Sequence, residues 1–280
     1  MLSKKKILIF GLGYITHSFI KYYRKKYTFY LISSHVKKSS DFYHLVTIDN
    51  LNKYNFDHII FGSSATSFKE VTESKLFEFL NYSKKLLYNL PKKDLSKIIY
   101  LSSSAIYGFS SKPFDENSDR QCSSMYQIEK NQIESLLLDS NEFREQATIF
   151  RISNPYGSIG GINSLNGLIN VIFNNYKNGK NTIINSRKSI RDFIHITDVI
   201  SCMDYALGDK FIPGVYNLGS GESSSLESVI KVFSNIYESD NFLFKNLDKT
   251  VSILEIKKLK KVFKNFSPIS LKEGLKNFYV

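Results

Sequence analysis

Five residues near the start, Lys6–Phe10 (KILIF), run straight into Gly11-Leu12-Gly13. Helical spacing follows over His17–Lys25, with Phe19, Ile20 and Tyr23 on one side. A short apolar run bounded by glycine reads as a buried strand, and a strand that turns directly into a helix opens a β-α-β unit. The alternation then repeats. Apolar runs at Phe29–Ser33, His58–Gly62, Lys97–Ser102 and Ala147–Ile152 are separated by two long helical patterns. One is Glu70–Leu90, with Leu76, Phe79, Leu80, Leu86 and Leu87; the other is Tyr126–Ser140, with Ile133, Leu136 and Leu137. Strands joined by crossover helices pair in parallel and are covered on both faces. The expected class is therefore α/β with a doubly wound parallel sheet.

Beyond Pro155 the texture changes. Ser158–Gly167 is rich in Gly, Ser and Asn, which reads as a loop. A helix at Leu168–Asn178, a strand at Thr182–Asn185 and β runs at Phe193–Ile196 and Val215–Leu218 follow, and the tail from Ser224 reads as mainly helical. A length of 280 residues suits one or two domains. The expected division is a Rossmann-type dinucleotide-binding domain of residues 1–157, to which 188–218 returns, and a smaller interleaved C-terminal substrate lobe of 158–187 and 219–280.

The glycine loop has a mechanical meaning. Gly11 and Gly13 allow a tight turn and close approach of backbone to a pyrophosphate at the helix amino end, with Tyr14 and Ile15 beside it. The third small position of such a loop is Thr16, which should crowd the helix–strand contact. The end of the second strand bears on which dinucleotide fits. An NAD site places a carboxylate about 20 residues on, to hold the ribose 2′-hydroxyl. Here the chain reads Ser33-Ser34-His35, then Lys37 and Lys38, and Asp41 comes late. Hydroxyls and cations suit a 2′-phosphate, so NADP(H) is favoured, with NAD(H) the alternative.

Tyr126 and Lys130 stand four apart on one helical pattern and so share a face. An ammonium near a phenol favours the phenolate and makes a usable acid or base near neutrality. Ser103 ends a strand in YLSSSAIYG, at the edge where ligands bind in parallel sheets. Taken with ILIFGLGYI, FDHIIFGSSA, KIIYLSSSAIYG, MYQIEK, FRISNPYG, RDFIHITDV and GVYNLGSGE, in that order, the chain resembles an extended short-chain dehydrogenase/reductase of the NAD-dependent epimerase/dehydratase family over nearly its whole length. The resemblance implies roles. Tyr126 is the general acid/base at the sugar oxygen, Lys130 holds the nicotinamide ribose, and Ser103 hydrogen-bonds the reacting carbonyl or hydroxyl. Asp49 meets the adenine amine, and Gly62, Ser63 and Ser64 line the cofactor path. Ser104 borders the substrate, Asn154 meets its diphosphate and Arg191 pairs with a phosphate. The implied partner is a nucleoside-diphosphate sugar.

The sugar dehydratases of that family carry an acidic pair after the serine, where this chain has Ser104 and Ala105. Elimination is thereby disfavoured. Two reactions remain: NADPH-dependent reduction of the 4-keto group of a nucleoside-diphosphate 6-deoxy sugar, or NAD-dependent 4-epimerisation. The absent carboxylate after the second strand favours reduction. So does the segment FLFKNLDKTVS, which stands where epimerases carry an Arg-Pro-Gly-Asp-like stretch. A third reading is a non-catalytic NADP-binding sensor; such relatives lose the Tyr/Lys pair, which is retained here.

Lys and Arg number 38 and Asp and Glu 26, a formal charge of +12, which favours anionic ligands without naming them. Nucleic acid is not an expected partner, and no run of about 18 apolar residues occurs that could span a membrane. The basic start MLSKKK lacks a cleavage site, so the chain is expected in the cytoplasm. Two unspaced cysteines, Cys122 and Cys202, suggest neither a disulfide framework nor a metal site. Cys122 is expected to pack, His195 to be a buried hydrogen-bonded strand residue, Asp198 to cap a helix, Asn217 and Gly219 to shape a turn, and Lys257–Lys264 to be a solvated helix face. The resemblance also implies a homodimer paired through Glu70–Leu90 and Tyr126–Ser140, with Phe77 and Tyr82 outward.

Overall fold

The computed structural model describes residues 4–64, 72–90, 95, 97–162 and 164–280. Seven parallel strands form the central sheet: β1 (Lys6–Phe10), β2 (Thr28–Ile32), β3 (His44–Leu45), β4 (His58–Phe61), β5 (Lys97–Ser103), β6 (Ala147–Ile152) and β10 (Gly214–Leu218). Their spatial order is β10-β6-β5-β4-β1-β2-β3, every pair parallel. The chain order reverses between β1 and β4, which places a crevice at the carboxyl edge of those two strands.

Side chains alternate across the sheet and feed two cores. Ile7 and Ile9 face α1 (Tyr14–Tyr23) and α5 (Ile196–Ala206), whereas Leu8 and Phe10 face α2 (Glu73–Tyr88) and α3 (Met125–Leu138). Residues 70–71 of the expected Glu70–Leu90 helix lie outside the described residues. The expected helix at His17–Lys25 begins earlier, at Tyr14, because the amide of Gly13 already donates to the Thr16 hydroxyl (2.9 Å). Ser124 caps α3: its hydroxyl accepts the Gln127 amide, and Gln127 Oε1 accepts the Ser124 amide at 2.8 Å. That reciprocal cap fixes where the first turn starts and so where Tyr126 points.

A second sheet of four strands holds β7 (Asn154–Tyr156), β9 (Ile190–His195), β11 (Ser223–Ser225) and β13 (Val251–Ser252), and β8 (Thr182–Ile184) pairs with β12 (Phe242–Phe244). With α4 (Leu168–Lys177), α6 (Leu226–Tyr237) and α8 (Leu271–Lys276) they enclose a third core around Phe173, Phe233 and Phe278. Of the returning segment 188–218, α5 packs on α1 and β10 joins the large sheet, while β9 lies in the second sheet. Leu254, Ile256, Leu259 and Phe266, the second of these just before and the third within α7 (Lys257–Val262), pack into the first core. The tail is thus strand and short helix after α6, rather than mainly helical.

Three expectations need correction or detail. Asp198 does not cap α5. The cap is His195, whose ring accepts the Thr197 amide, and the Asp198 carboxyl accepts the Ile269 amide at 2.9 Å. Asn217 lies within β10, fully buried, accepting from the Tyr107 hydroxyl (2.7 Å) and donating to the Phe114 and Glu255 carbonyls (2.8 and 3.1 Å). Gly219 serves the turn by leaving room for Asp192, whose carboxylate would stand 2.5 Å from an added Cβ. His195 is buried with its Nδ1 2.7 Å from the Thr197 hydroxyl, and Cys122 packs against the first core. Along Lys257–Lys264 the lysines are exposed and Leu259 is buried.

Candidate active site

Two adjoining cavities lie along the carboxyl edge of the large sheet, and a third continues from the central one into the second lobe. The central one, about 420 Å³, is lined by Gly13, Tyr14, Ile15, Gly62, Ser64, Ser103, Ser104, Tyr126, Lys130, Asn154 and Arg191, among others. The second, about 610 Å³, holds Gly11, Gly13, Ser33, Ser34, His35, Gly62, Ser63 and Ser64, closed by Phe79 and Tyr82 of α2. The third, about 620 Å³, shares Phe109, Asn154 and Arg191 with the central one.

The glycine loop turns tightly and leaves the amino end of α1 open. Gly11 has φ of +90°, and a Cβ there would meet Ser63 at 2.6 Å, so only glycine fits. At Gly13 a Cβ would meet nothing within 4 Å, which leaves open space at the amino end of α1, where a helix favours an anion. The crowding expected from Thr16 is relieved by a neighbour. Its hydroxyl donates to the Gly11 carbonyl (2.8 Å), and its methyl sits 2.4 Å from where a Cβ of Gly62 would be. Gly62 has no side chain, so the methyl fits.

Ser103, Tyr126 and Lys130 converge. Ser103 ends β5; its hydroxyl accepts the Ala105 amide (3.2 Å) and is hydrogen-bonded to the Tyr126 phenol. The Lys130 ammonium donates to the Leu101 carbonyl (3.1 Å) and lies 5.6 Å from the Tyr126 ring centroid. Burial dominates the electrostatics. It raises the Tyr126 phenol above its ordinary value, against the Ser103 hydrogen bond, and lowers the Lys130 amine, against Glu129 and Glu134. The expected depression of Tyr126 by Lys130 is therefore not what this pocket produces. Desolvation of the phenolate wins, and the ammonium is aimed at a backbone carbonyl. Burial thereby favours the neutral phenol at Tyr126.

On the far side, Asn154 Nδ2 donates to the Asp192 carbonyl at 2.8 Å. Arg191 donates to the Ile190 and Thr250 carbonyls (2.8 Å each), and its guanidinium lies 5.0 Å from the Phe109 ring centroid. Tyr14 donates to the Gly157 carbonyl at 2.7 Å, which ties the first helix to the turn after β7 beside the site.

Three expected cofactor residues are not brought to the cavities. Lys37 and Lys38 are exposed and line none of them. Asp49 is exposed at the start of a 3₁₀ turn (Ile48–Lys53), 3.4 Å from Lys85, outside the second cavity. The direction of a loop or turn side chain is set by backbone that residue type does not reveal. Phe109, Gln127 and Asn166 line the site without having been singled out. Gln127 donates to the Ala105 carbonyl at 2.7 Å, joining α3 to the turn after Ser103, and its capping pattern with Ser124 was the available signal. Among the described residues no group of three His, Cys, Asp or Glu side chains could hold a metal, and no helix is long and apolar enough to cross a membrane.

A nucleotide-type sheet with a Ser/Tyr/Lys cluster at its crevice defines a class. The sequence pattern of the NAD dependent epimerase/dehydratase family matches residues 48–219, and the chain belongs to that family. It is 33% identical over 146 residues to a dTDP-4-dehydro-6-deoxyglucose reductase of Escherichia coli, covering 51% of this chain and 46% of that protein. It is 27% identical over 207 residues to an ADP-L-glycero-D-manno-heptose-6-epimerase of Brachyspira hyodysenteriae, covering 70% and 63%. The alignments thus span about half to under two thirds of these relatives' lengths. In fold the chain matches UDP-glucuronic acid 4-epimerase of Bacillus cereus, solved with UDP-glucuronic acid and NAD, at a TM-score of 0.81 and 21% identity, over 98% and 97% of the two chains.

Proposed function

We propose that the chain is a nucleotide-sugar oxidoreductase that uses NADPH to reduce the 4-keto group of a nucleoside-diphosphate 6-deoxy sugar. One observation carries this: Ser103, Tyr126 and Lys130 meet in a cavity that adjoins the glycine cradle on one side and the Asn154/Arg191 cavity on the other. When bound, the reduced nicotinamide would supply the hydride. Gly11, Gly13 and the amino end of α1 would hold its pyrophosphate, and Lys130 its ribose. Ser103 hydrogen-bonds the sugar carbonyl, Tyr126 delivers the proton to the oxygen, and Asn154 and Arg191 take the diphosphate. Ser104 and Ala105 offer no acid for elimination. The 2′-phosphate preference rests on Ser33, Ser34 and His35, the β2-side lining; α2 adds Lys75 and Glu78 to the same cavity, and Lys37 and Lys38 lend the preference nothing.

The relative named as a heptose epimerase favours a second reading, in which a retained NAD serves epimerisation. Mass spectrometry of the purified protein, followed by a panel of dTDP-, GDP-, CDP- and UDP-4-keto sugars, separates the two. Consumption of NADPH by at least one sugar is expected. A tightly retained NAD with interconversion of sugars and no net NADPH oxidation overturns the reductase.

The same reading includes a homodimer paired through α2 and α3. Phe77 and Tyr88 support it, being 66% and 65% exposed on α2. Tyr82 is also outward at 43% exposure, and it borders the second cavity as well. Light scattering at the mass of one chain would sink the dimer.

A further inference from the structure

Helix α3 carries two fully buried carboxylates, Glu129 and Glu134, on either side of Lys130. Glu134 belongs to an ionic cluster behind the site: Arg151 Nη2 lies 2.7 Å from it, and the Ser102 hydroxyl donates to it at 2.5 Å. Glu129 serves the front. Its Oε1 accepts the Ser64 hydroxyl at 2.6 Å, and Ser64 lines both the central and the second cavity. Glu129 therefore joins the residues just past β4 to the helix that carries Tyr126 and Lys130, where the cofactor-side and sugar-side spaces meet. A carboxylate costs several kcal/mol to bury unless hydrogen-bonded and matched in charge, so this placement is a built feature.

We propose that Glu129 is a positioning residue. Through Ser64 it fastens the Tyr126/Lys130 helix to the cofactor-side backbone, and its charge keeps Lys130 an ammonium and Tyr126 a phenol. The surroundings agree. Among the described residues, the groups facing Tyr126 include Ser103 and Tyr100 from β5 with Glu129 and Lys130 from its own helix; those facing Lys130 include Tyr100, Tyr126, Glu129 and Glu134 with the Leu101 carbonyl. Glu129 opposes the effect of burial on Lys130 and adds to it on Tyr126.

This role rests on the oxidoreductase reading, and two substitutions separate it from simple support. Glu129→Gln keeps an acceptor for Ser64 and removes the charge; Ser64→Ala keeps the charge and removes the tie. The readouts are the pH profile of kcat/KM for keto-sugar reduction and the dissociation constant of NADPH from its own fluorescence, the chain having no tryptophan. Glu129→Gln is expected to move the alkaline limb about one unit to lower pH, a roughly tenfold loss on that limb, because a phenol ionises more readily without a neighbouring negative charge. Ser64→Ala is expected to leave the limb in place and weaken NADPH binding severalfold. A limb unmoved by Glu129→Gln, or moved equally by both, overturns the proposal. If Glu129→Gln does not fold, Glu129→Asp replaces it: the limb must stay while NADPH binding weakens, and a shifted limb overturns. Wild-type protein that binds NADPH and turns over no sugar defeats the substrate reading instead; the tie is then judged by NADPH affinity in Ser64→Ala, an unchanged value overturning it.

Discussion

Tyr126 is half-buried in the cavity wall with its hydroxyl on Ser103, so a substitution there tests chemistry more than scaffold. Tyr126→Phe should lower turnover by about 10²- to 10⁴-fold, the usual worth of a placed general acid, while NADPH affinity stays within a few fold. Unchanged turnover would remove Tyr126 from its role. Asp198 offers a pH test outside the site. Burial raises its carboxyl to about 6, against the Ile269 hydrogen bond. The folded chain therefore holds a proton there that the unfolded chain has already lost. That contribution to stability is present at low pH and disappears as pH rises through about 6. Asp198→Asn keeps an acceptor and cannot ionise, so its Tm relative to the parent should climb between pH 4 and 6 and then level off. A Tm difference independent of pH would contradict the assignment. Residues of this scale were legible where the backbone dictates the type. Gly11 must be glycine because Ser63 occupies the space a Cβ needs. Lys37, Lys38 and Asp49 were not, since charge says nothing about which way an exposed side chain leaves its loop or turn.

At the scale of elements, the contact between α1 and the end of β4 depends on two residues that fit only together. Adding a Cβ at Gly62 brings it within 2.4 Å of the Thr16 methyl. Gly62→Ala should therefore cost about 1–3 kcal/mol, the range for overpacking a close contact. Thr16→Ser in the same chain should restore most of it, because the hydroxyl that bonds the Gly11 carbonyl remains and the methyl is gone. Chemical denaturation of the two single variants and the double variant measures the coupling. Additive losses would show that the two do not touch. The long strands and helices of the sheet were readable because runs such as Ile7–Phe10 and the Ile133/Leu137 spacing are dictated by burial. Strands of two or three residues such as β11, β12 and β13 hold no period, and Asn217 has the residue type of a turn although it lies within β10 and donates its side-chain amide to the Phe114 carbonyl.

Across the whole molecule, the lobe and the sheet share their cores. Leu254, Ile256, Leu259 and Phe266 fill the face that α1 and α5 cover, and the Phe114 amide reaches the Ile253 carbonyl at 2.9 Å. Unfolding should then be a single calorimetric transition, with equal calorimetric and van't Hoff enthalpies. Two resolved transitions would mean that the lobe is separable. This interleaving was only partly legible: returning segments were expected, but which strand joins which sheet depends on contacts between residues far apart along the chain. The late position of those four core residues also bears on how the protein is born. A ribosome delivers about 5–20 residues per second, so on the order of ten seconds separate the emergence of β6 from that of Phe266. Throughout that interval one face of the nascent sheet lacks part of its cover, and that face is where a chaperone would find this chain.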